Sequence, residues 1–168
     1  MRSLIVALCG LLVLSMLVGA KHQKSHRGPA KSMAIKTLNA DDLQWGPSEA
    51  PFRPGAQGAV LDGDPSKPGH FVLRFRMPAG YTVDPHWHTG SERVTVLEGS
   101  LKFGSGNVIS DEQTKEYGVG GYISIPGRAH HYALAGDDGA LIQVDGEGPF
   151  DLHYVNPDGS EKKAPKKH

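Results

Sequence analysis

The chain is short of cysteine, of aromatic side chains and of net charge. Its one cysteine, Cys9, lies in an apolar run at the extreme N-terminus. Beyond that run there is no thiol for a disulfide or a thiolate metal site, so any metal must be held by imidazole, carboxylate and water. Lys plus Arg and Asp plus Glu number 18 each, for a formal net charge of zero. No basic stripe runs through the body of the chain, which withdraws support from nucleic-acid binding. After the first twenty residues the apolar runs are short and broken by turn residues. What the chain has in quantity is glycine, 22 residues, and proline, 12. Short apolar runs punctuated in this way predict an all-β domain, and 168 residues suit one domain rather than two.

The N-terminus reads as a separate segment. Arg2 supplies a positive start, Leu4 to Val18 is almost continuously apolar, and Val18-Gly19-Ala20 offers small residues for cleavage. Residues 1–20 are therefore expected to be a secretory signal, with a retained membrane anchor as the alternative. An exported chain without further cysteines fits a bacterial periplasm, and with the signal removed no membrane attachment is expected. Residues 21–33, basic and polar, read as a flexible linker. The domain is expected over 34–156, followed by a disordered basic tail over 157–168.

Within the domain, Ile35 to Leu38 reads as a short strand and Asn39 to Asp42 as the cap of a helical turn ending at Trp45. Ala56 to Asp62 reads as a strand. Phe71, Leu73, Phe75 and Met77 alternate with Arg74 and Arg76, as in a half-buried antiparallel strand. Glu98-Gly99 reads as a hairpin turn into Ser100–Phe103. Gly104 to Gly121 reads as a connection with one helical turn near Ser110–Glu116. Tyr122–Ile125, Ala129–Ala135, Ala140–Asp145 and Asp151–Val155 read as strands, the last three separated by turns at 136–139 and 146–149.

The stretch with chemical content runs from Gly80 to Gly99. His86 and His88 are one residue apart, and Glu92 follows four residues later. On an extended strand His86 and His88 share a face and Trp87 takes the other. Val94 and Val96 have the parity of Glu92, so the face bearing the carboxylate continues as an apolar one. Imidazole and carboxylate converging from one side suit a borderline or hard divalent cation.

The spacing G-x5-H-x-H-x3-E-x6-G resembles the first motif of the cupin family. A second motif, G-x5-P-x-G-x2-H, is met at Gly120, Pro126 and His131, but its glycine stands at Gly127, one residue earlier than usual. Counting from the proline selects His131 as third histidine ligand, and counting from the glycine selects His130. His131 is preferred, because the proline opens the strand that carries the ligand. The segment Gly146 to Pro157 is similar to the end of short bacterial single-domain cupins.

This resemblance implies a small jelly-roll barrel of two antiparallel sheets around a cavity. It also implies one divalent metal on His86, His88, Glu92 and His131, manganese or iron first, with zinc, nickel and copper open. Gln143 and Tyr154 are candidates to partner the ligand imidazoles, and Trp87 and Tyr81 to close the mouth. His70 and His153 read as hydrogen-bonded strand residues. Two functions follow. One is a metal-dependent oxidoreductase on a small oxygen-rich molecule, with Glu92 as catalytic base. The other is a barrel that captures a small molecule or metal without turnover, and the presence of a further acid or base in the pocket, His130 or Tyr154, would discriminate the two. A small molecule is the expected partner, and pairing into a homodimer through Phe71–Met77 is left open.

Overall fold

Nine strands carry almost all the regular structure: β1 (Gly46–Pro47), β2 (Gln57–Asp62), β3 (Gly69–Met77), β4 (Thr82–Trp87), β5 (Glu92–Ser105), β6 (Thr114–Tyr117), β7 (Tyr122–Ile125), β8 (His131–Gly148) and β9 (His153–Tyr154). The structure, a computed structural model, describes residues 35–48 and 51–162. The expected signal segment, the linker and residues 163–168 of the expected tail lie outside the described residues. Among the described residues there is no α-helix, only the 3₁₀ turns Ala40–Asp42 and Asp111–Gln113.

Every ladder is antiparallel, and the two longest strands, β5 and β8, belong to both layers of a jelly-roll barrel. Residues 140–148 of β8 lie between β3 and the first half of β5, which pairs with β7 on its far side. Residues 131–135 of β8 lie between β4 and the second half of β5, which pairs with β6. Each long strand therefore has to bend between layers. On β5 the bend falls at Gly99, whose φ of +66° suits glycine and whose Cβ position would lie 2.1 Å from the Gly139 carbonyl oxygen. Register shifts flank it on both sides. On β8 four residues, 136–139, bulge out opposite the single residue Ser100.

These bends account for two departures from the sequence expectation. Glu98-Gly99 is not a hairpin turn, and Gly136–Gly139 does not separate two strands. Both are interruptions within continuous strands, because glycine with acidic neighbours has the same composition in a bulge as in a turn. Ile35–Leu38 forms no strand, and the capped turn after Asn39 ends at Leu43 rather than Trp45. β6 is an addition inside the expected Gly104–Gly121 connection. After Asn156 the chain does not leave the domain at once. The amides of Asn156 and Lys162 donate to the Ser160 and Tyr154 carbonyls, and Val155 bridges Glu161.

The core lies between the layers. Phe71, Leu73 and Met77 from β3 meet Val94, Val96 and Leu101 from β5, all buried. Each such side chain contributes about 1.5–3 kcal/mol by leaving water. Tyr132 is fully buried, its hydroxyl hydrogen-bonded to the amide and carbonyl of Ser110 and to Thr114 Oγ1. Its ring lies on Gly104, its ladder partner, where a Cβ would stand 2.3 Å from the phenol oxygen. Gly104→Ala is therefore expected to cost about 1–3 kcal/mol by overpacking. A chemical denaturation midpoint equal to that of the unaltered chain would contradict this.

Candidate metal centre

The local shape of β4 decides which way its histidine faces. Val83 pairs with Ala133, and the next paired residue is His86, opposite His131. Three steps on β4 thus match two on β8, leaving Asp84 and Pro85 in a bulge, a place where proline's missing N–H costs no ladder bond. Without that extra residue His86 would turn to the opposite face from Val83. With it, Val83 and His86 face one cavity alongside Ala133 and His131. His88 follows the end of the strand and Glu92 opens β5.

His86, His88, Glu92 and His131 are all buried, with exposures of 3–5 %. One donor atom from each lies within 4.8 Å of the others. Nε2 of His86 is 3.1 Å from Nε2 of His88. Glu92 Oε1 is 3.2 Å from Nε2 of His88 and 3.0 Å from Nε2 of His131. Donors about 2.1 Å from one centre and at right angles to each other stand about 3.0 Å apart, so these edges are the size a first-row divalent ion requires.

The other ring nitrogens say which atoms are lone pairs. Nδ1 of His86 donates to the Asp84 carbonyl at 2.7 Å and Nδ1 of His131 to the Ala129 carbonyl at 2.8 Å. Nδ1 of His88 donates to the Asp151 carbonyl. A carbonyl only accepts, so all three rings carry hydrogen on Nδ1 and turn Nε2 to the centre, where it is bare whenever the ring is neutral. Two lone pairs facing each other at 3.1 Å repel unless a cation or a proton stands between them. The donor set therefore fits a divalent ion, and protons compete with it.

The charges agree. Burial, with His131 and His88 beside it, pushes His86 well below the usual histidine range. Burial also opposes a charge on His88, but the Glu92 carboxylate and the Asp151 carbonyl prevail and hold it above that range. Burial opposes ionisation of Glu92 too, yet the imidazoles of His131 and His88 hold its carboxyl below the ordinary carboxylate range.

Apart from this cluster the cavity wall is apolar, including Val94, Phe103, Ile142 and Leu152. Among the described residues Tyr81 is the one other polar side chain in it, and its hydroxyl is committed to the Arg53 carbonyl at 2.6 Å. The free space is about 50 Å³. A water needs about 10–15 Å³ on that measure, so the room suits a few waters or a ligand of a few heavy atoms.

Several expected residues stand elsewhere. His130 is outside the cluster, its Nδ1 2.5 Å from Asn107 Oδ1. Gln143 contacts Arg74 and Asp145, and the Tyr154 hydroxyl donates to the Pro51 carbonyl, so neither partners a ligand imidazole. Trp87 faces away from the cavity, stacked on His153 at 4.0 Å, with the Arg128 guanidinium 5.2 Å from its ring. His153 pairs with Glu161 and Asp151, while His70 is exposed. Sequence reasoning missed Phe150, which stacks on His88 at 4.6 Å, and Asp151. The carbonyl that orients His88 had no signal to find, since every residue has one.

The displaced glycine of the second motif is also explained. Arg128 is the residue in left-handed conformation, at φ +65°, one position after Gly127. Its N–H donates to the His88 carbonyl at 2.8 Å. The turn keeps a glycine's backbone without the glycine, at about 1–2 kcal/mol, and the count from Pro126 to His131 is preserved.

A family model described as the ChrR Cupin-like domain matches residues 33–150. No curated protein matches the sequence. Among solved structures, a proposed acetylacetone dioxygenase from Methylibium petroleiphilum is similar with a TM-score of 0.61 and 21 % identity, over 81 % of this chain and 91 % of that one. An RmlC-like cupin from Ralstonia eutropha gives 0.61 and 18 %, over 79 % of each chain. The polyketide cyclase RemF from Streptomyces resistomycificus gives 0.59 and 20 %, over 74 % and 90 %. At these identities the likeness is one of fold.

Proposed function

The chain belongs to the family of ChrR cupin-like domains, and from that premise we propose that it is a metal-dependent oxidoreductase acting on a small oxygen-rich organic molecule. What supports this most is the set of three imidazoles with their outer nitrogens committed to carbonyls and their inner nitrogens bare, closed by one carboxylate. A divalent ion there, manganese or iron by first choice with zinc, nickel and copper open, supplies Lewis acidity toward an enolate, carboxylate or phenolate oxygen. His86, His88 and His131 hold it. Glu92 is assigned two tasks, ligand and proton acceptor, because no other ionisable group that is free to act lines the cavity among the described residues. The apolar wall keeps bulk water from the reacting atoms. Residues 1–20 would deliver the protein to the periplasm, where a small molecule is its partner.

A second reading keeps the same ion and removes the turnover. It is favoured by the placement of His130 and Tyr154 outside the cavity, which leaves Glu92 as the only base there among the described residues. One experiment separates the two. Elemental analysis of purified protein is followed by oxygen-consumption assays with diketones, hydroxy acids and catechols, each with and without that ion. Stoichiometric metal with uptake only in the loaded protein is expected. Turnover by demetallated protein would overturn the proposal, and metal without uptake on any compound would favour capture.

A further inference from the structure

Three phenyl rings stand in two walls at once. Phe52, Phe75 and Phe150 line the cavity around the histidine cluster, and the same three line an outer groove bounded by β2, β3 and the loop at 63–68. The groove is about 490 Å³ in volume, against about 50 Å³ inside. Among the described residues, serine hydroxyls are its only polar side-chain groups and no lining residue is charged. One of the two, Ser48 Oγ, is buried without a hydrogen-bond partner. Val60, in the same wall, is 51 % exposed. The rings form a collar: Phe52 lies against Phe75 at 5.1 Å, and Phe150 is stacked on His88 while touching Phe71 at 5.2 Å. All three collar rings are half-buried, so none is wedged in the core.

We propose that the substrate is amphiphilic, with an oxygen-bearing head at the histidine cluster and a hydrocarbon tail that passes the phenyl collar into this groove. The inference rests on the reading of the cluster as a metal centre. The inner space admits only a few heavy atoms, while the apolar groove behind the same three rings is far larger than a small head group would need. Exposed apolar surface of this kind marks a binding site, and the half-buried rings it shares with the cavity, free to turn aside, favour the remainder of the same molecule as its occupant.

Gly58 allows the groove to be filled without touching the cluster. It lines the groove and not the cavity, and its added Cβ would make ordinary contacts, 3.5 Å to Phe75 and 3.6 Å to Ser48. The test titrates metal-loaded protein calorimetrically with straight-chain hydroxamates, two-oxygen chelators, from acetohydroxamate to octanohydroxamate. In the unaltered protein affinity is expected to rise about two- to fourfold per added methylene. In Gly58→Leu that increment should vanish, with metal content and acetohydroxamate affinity unchanged. Gly58→Ala, a milder filling that the strand accepts, should reduce the increment and guards against a leucine variant that fails to fold. A flat series in the unaltered protein, or the same slope in the variants, would overturn the proposal. So would a change in oligomeric mass without a change in slope, which would assign the groove to a second copy. Protein that retains no ion, or loaded protein that ignores acetohydroxamate, overturns the metal reading and this proposal together.

Discussion

Replacing His131 by alanine is expected to strip the protein of its ion, while replacing its neighbour His130 leaves the ion in place. The two side chains are adjacent in sequence and opposite in surroundings. His131 is buried in ladder register with His86, its Nε2 3.0 Å from Glu92 Oε1 and its ring 4.2 Å from that of His86. His130 is bound outside the cluster to Asn107. Loss of a group that merely orients a ligand typically lowers metal affinity about 10–100-fold, so loss of a ligand should cost more than about 100-fold. His86→Ala should behave as His131→Ala does, since the two stand opposite each other on β4 and β8. For His130→Ala affinity should stay within about twofold, with a stability loss on the order of 1 kcal/mol from the broken hydrogen bond. Competition against a chromophoric chelator measures the affinities, and circular dichroism checks that each variant is folded. A His131→Ala protein that keeps stoichiometric metal, or a His130→Ala protein that loses it, would reverse the assignment.

The histidine pair and the carboxylate were legible because their spacing lies along one segment. The parity of Glu92, Val94 and Val96 placed three side chains on a common face, and all three are buried while Arg93 between them is exposed. Phe71, Leu73 and Met77 were readable for the same reason. The continuity of β5 and β8 was not readable, because Gly99 and the 136–139 bulge bend strands with residues that elsewhere reverse them. Only the partner strand distinguishes the two outcomes, and pairing between residues as far apart in sequence as Gly99 and Ala140 leaves no local mark. The orientation of the imidazoles was equally hidden. Asp84 and Ala129 act through carbonyls, two residues before the histidines they hold, whereas Asp151 acts across 63 residues of sequence.

Asp151 carries the other large expected effect. Its carbonyl takes the Nδ1 hydrogen of His88, and its carboxylate fixes where that carbonyl sits. Oδ1 accepts from the Thr89 amide at 2.7 Å and Oδ2 from the Thr89 hydroxyl at 2.5 Å, while His153 Nε2 makes an ion-pair contact at 3.0 Å. The segment after β8 is thereby pinned to the residue next to a ligand. Asp151→Ala removes both acceptors and should lower metal affinity about 10–100-fold. Asp151→Asn keeps one acceptor for Thr89 and should fall between. Loss of His88 orientation should also alter the visible spectrum of the cobalt-loaded protein, which a remote loss of stability would leave alone. The acid limb supplies a second readout. Partial burial opposes ionisation of Asp151, but the Thr89 hydrogen bonds and His153 outweigh it and lower the carboxyl to about 2 from an ordinary 3.8. A carboxyl lowered on folding stabilises the native state above its unfolded value and ceases to do so as pH falls through the folded one. In chelator, the unaltered protein should therefore lose stability between about pH 4 and pH 2, by on the order of 1 kcal/mol once solvent screening of this partly exposed group is allowed for. Asp151→Asn should lack that step. An Asp151→Ala protein that binds its ion as tightly as the unaltered chain, with the same cobalt spectrum, would mean that His88 finds its orientation without the pin.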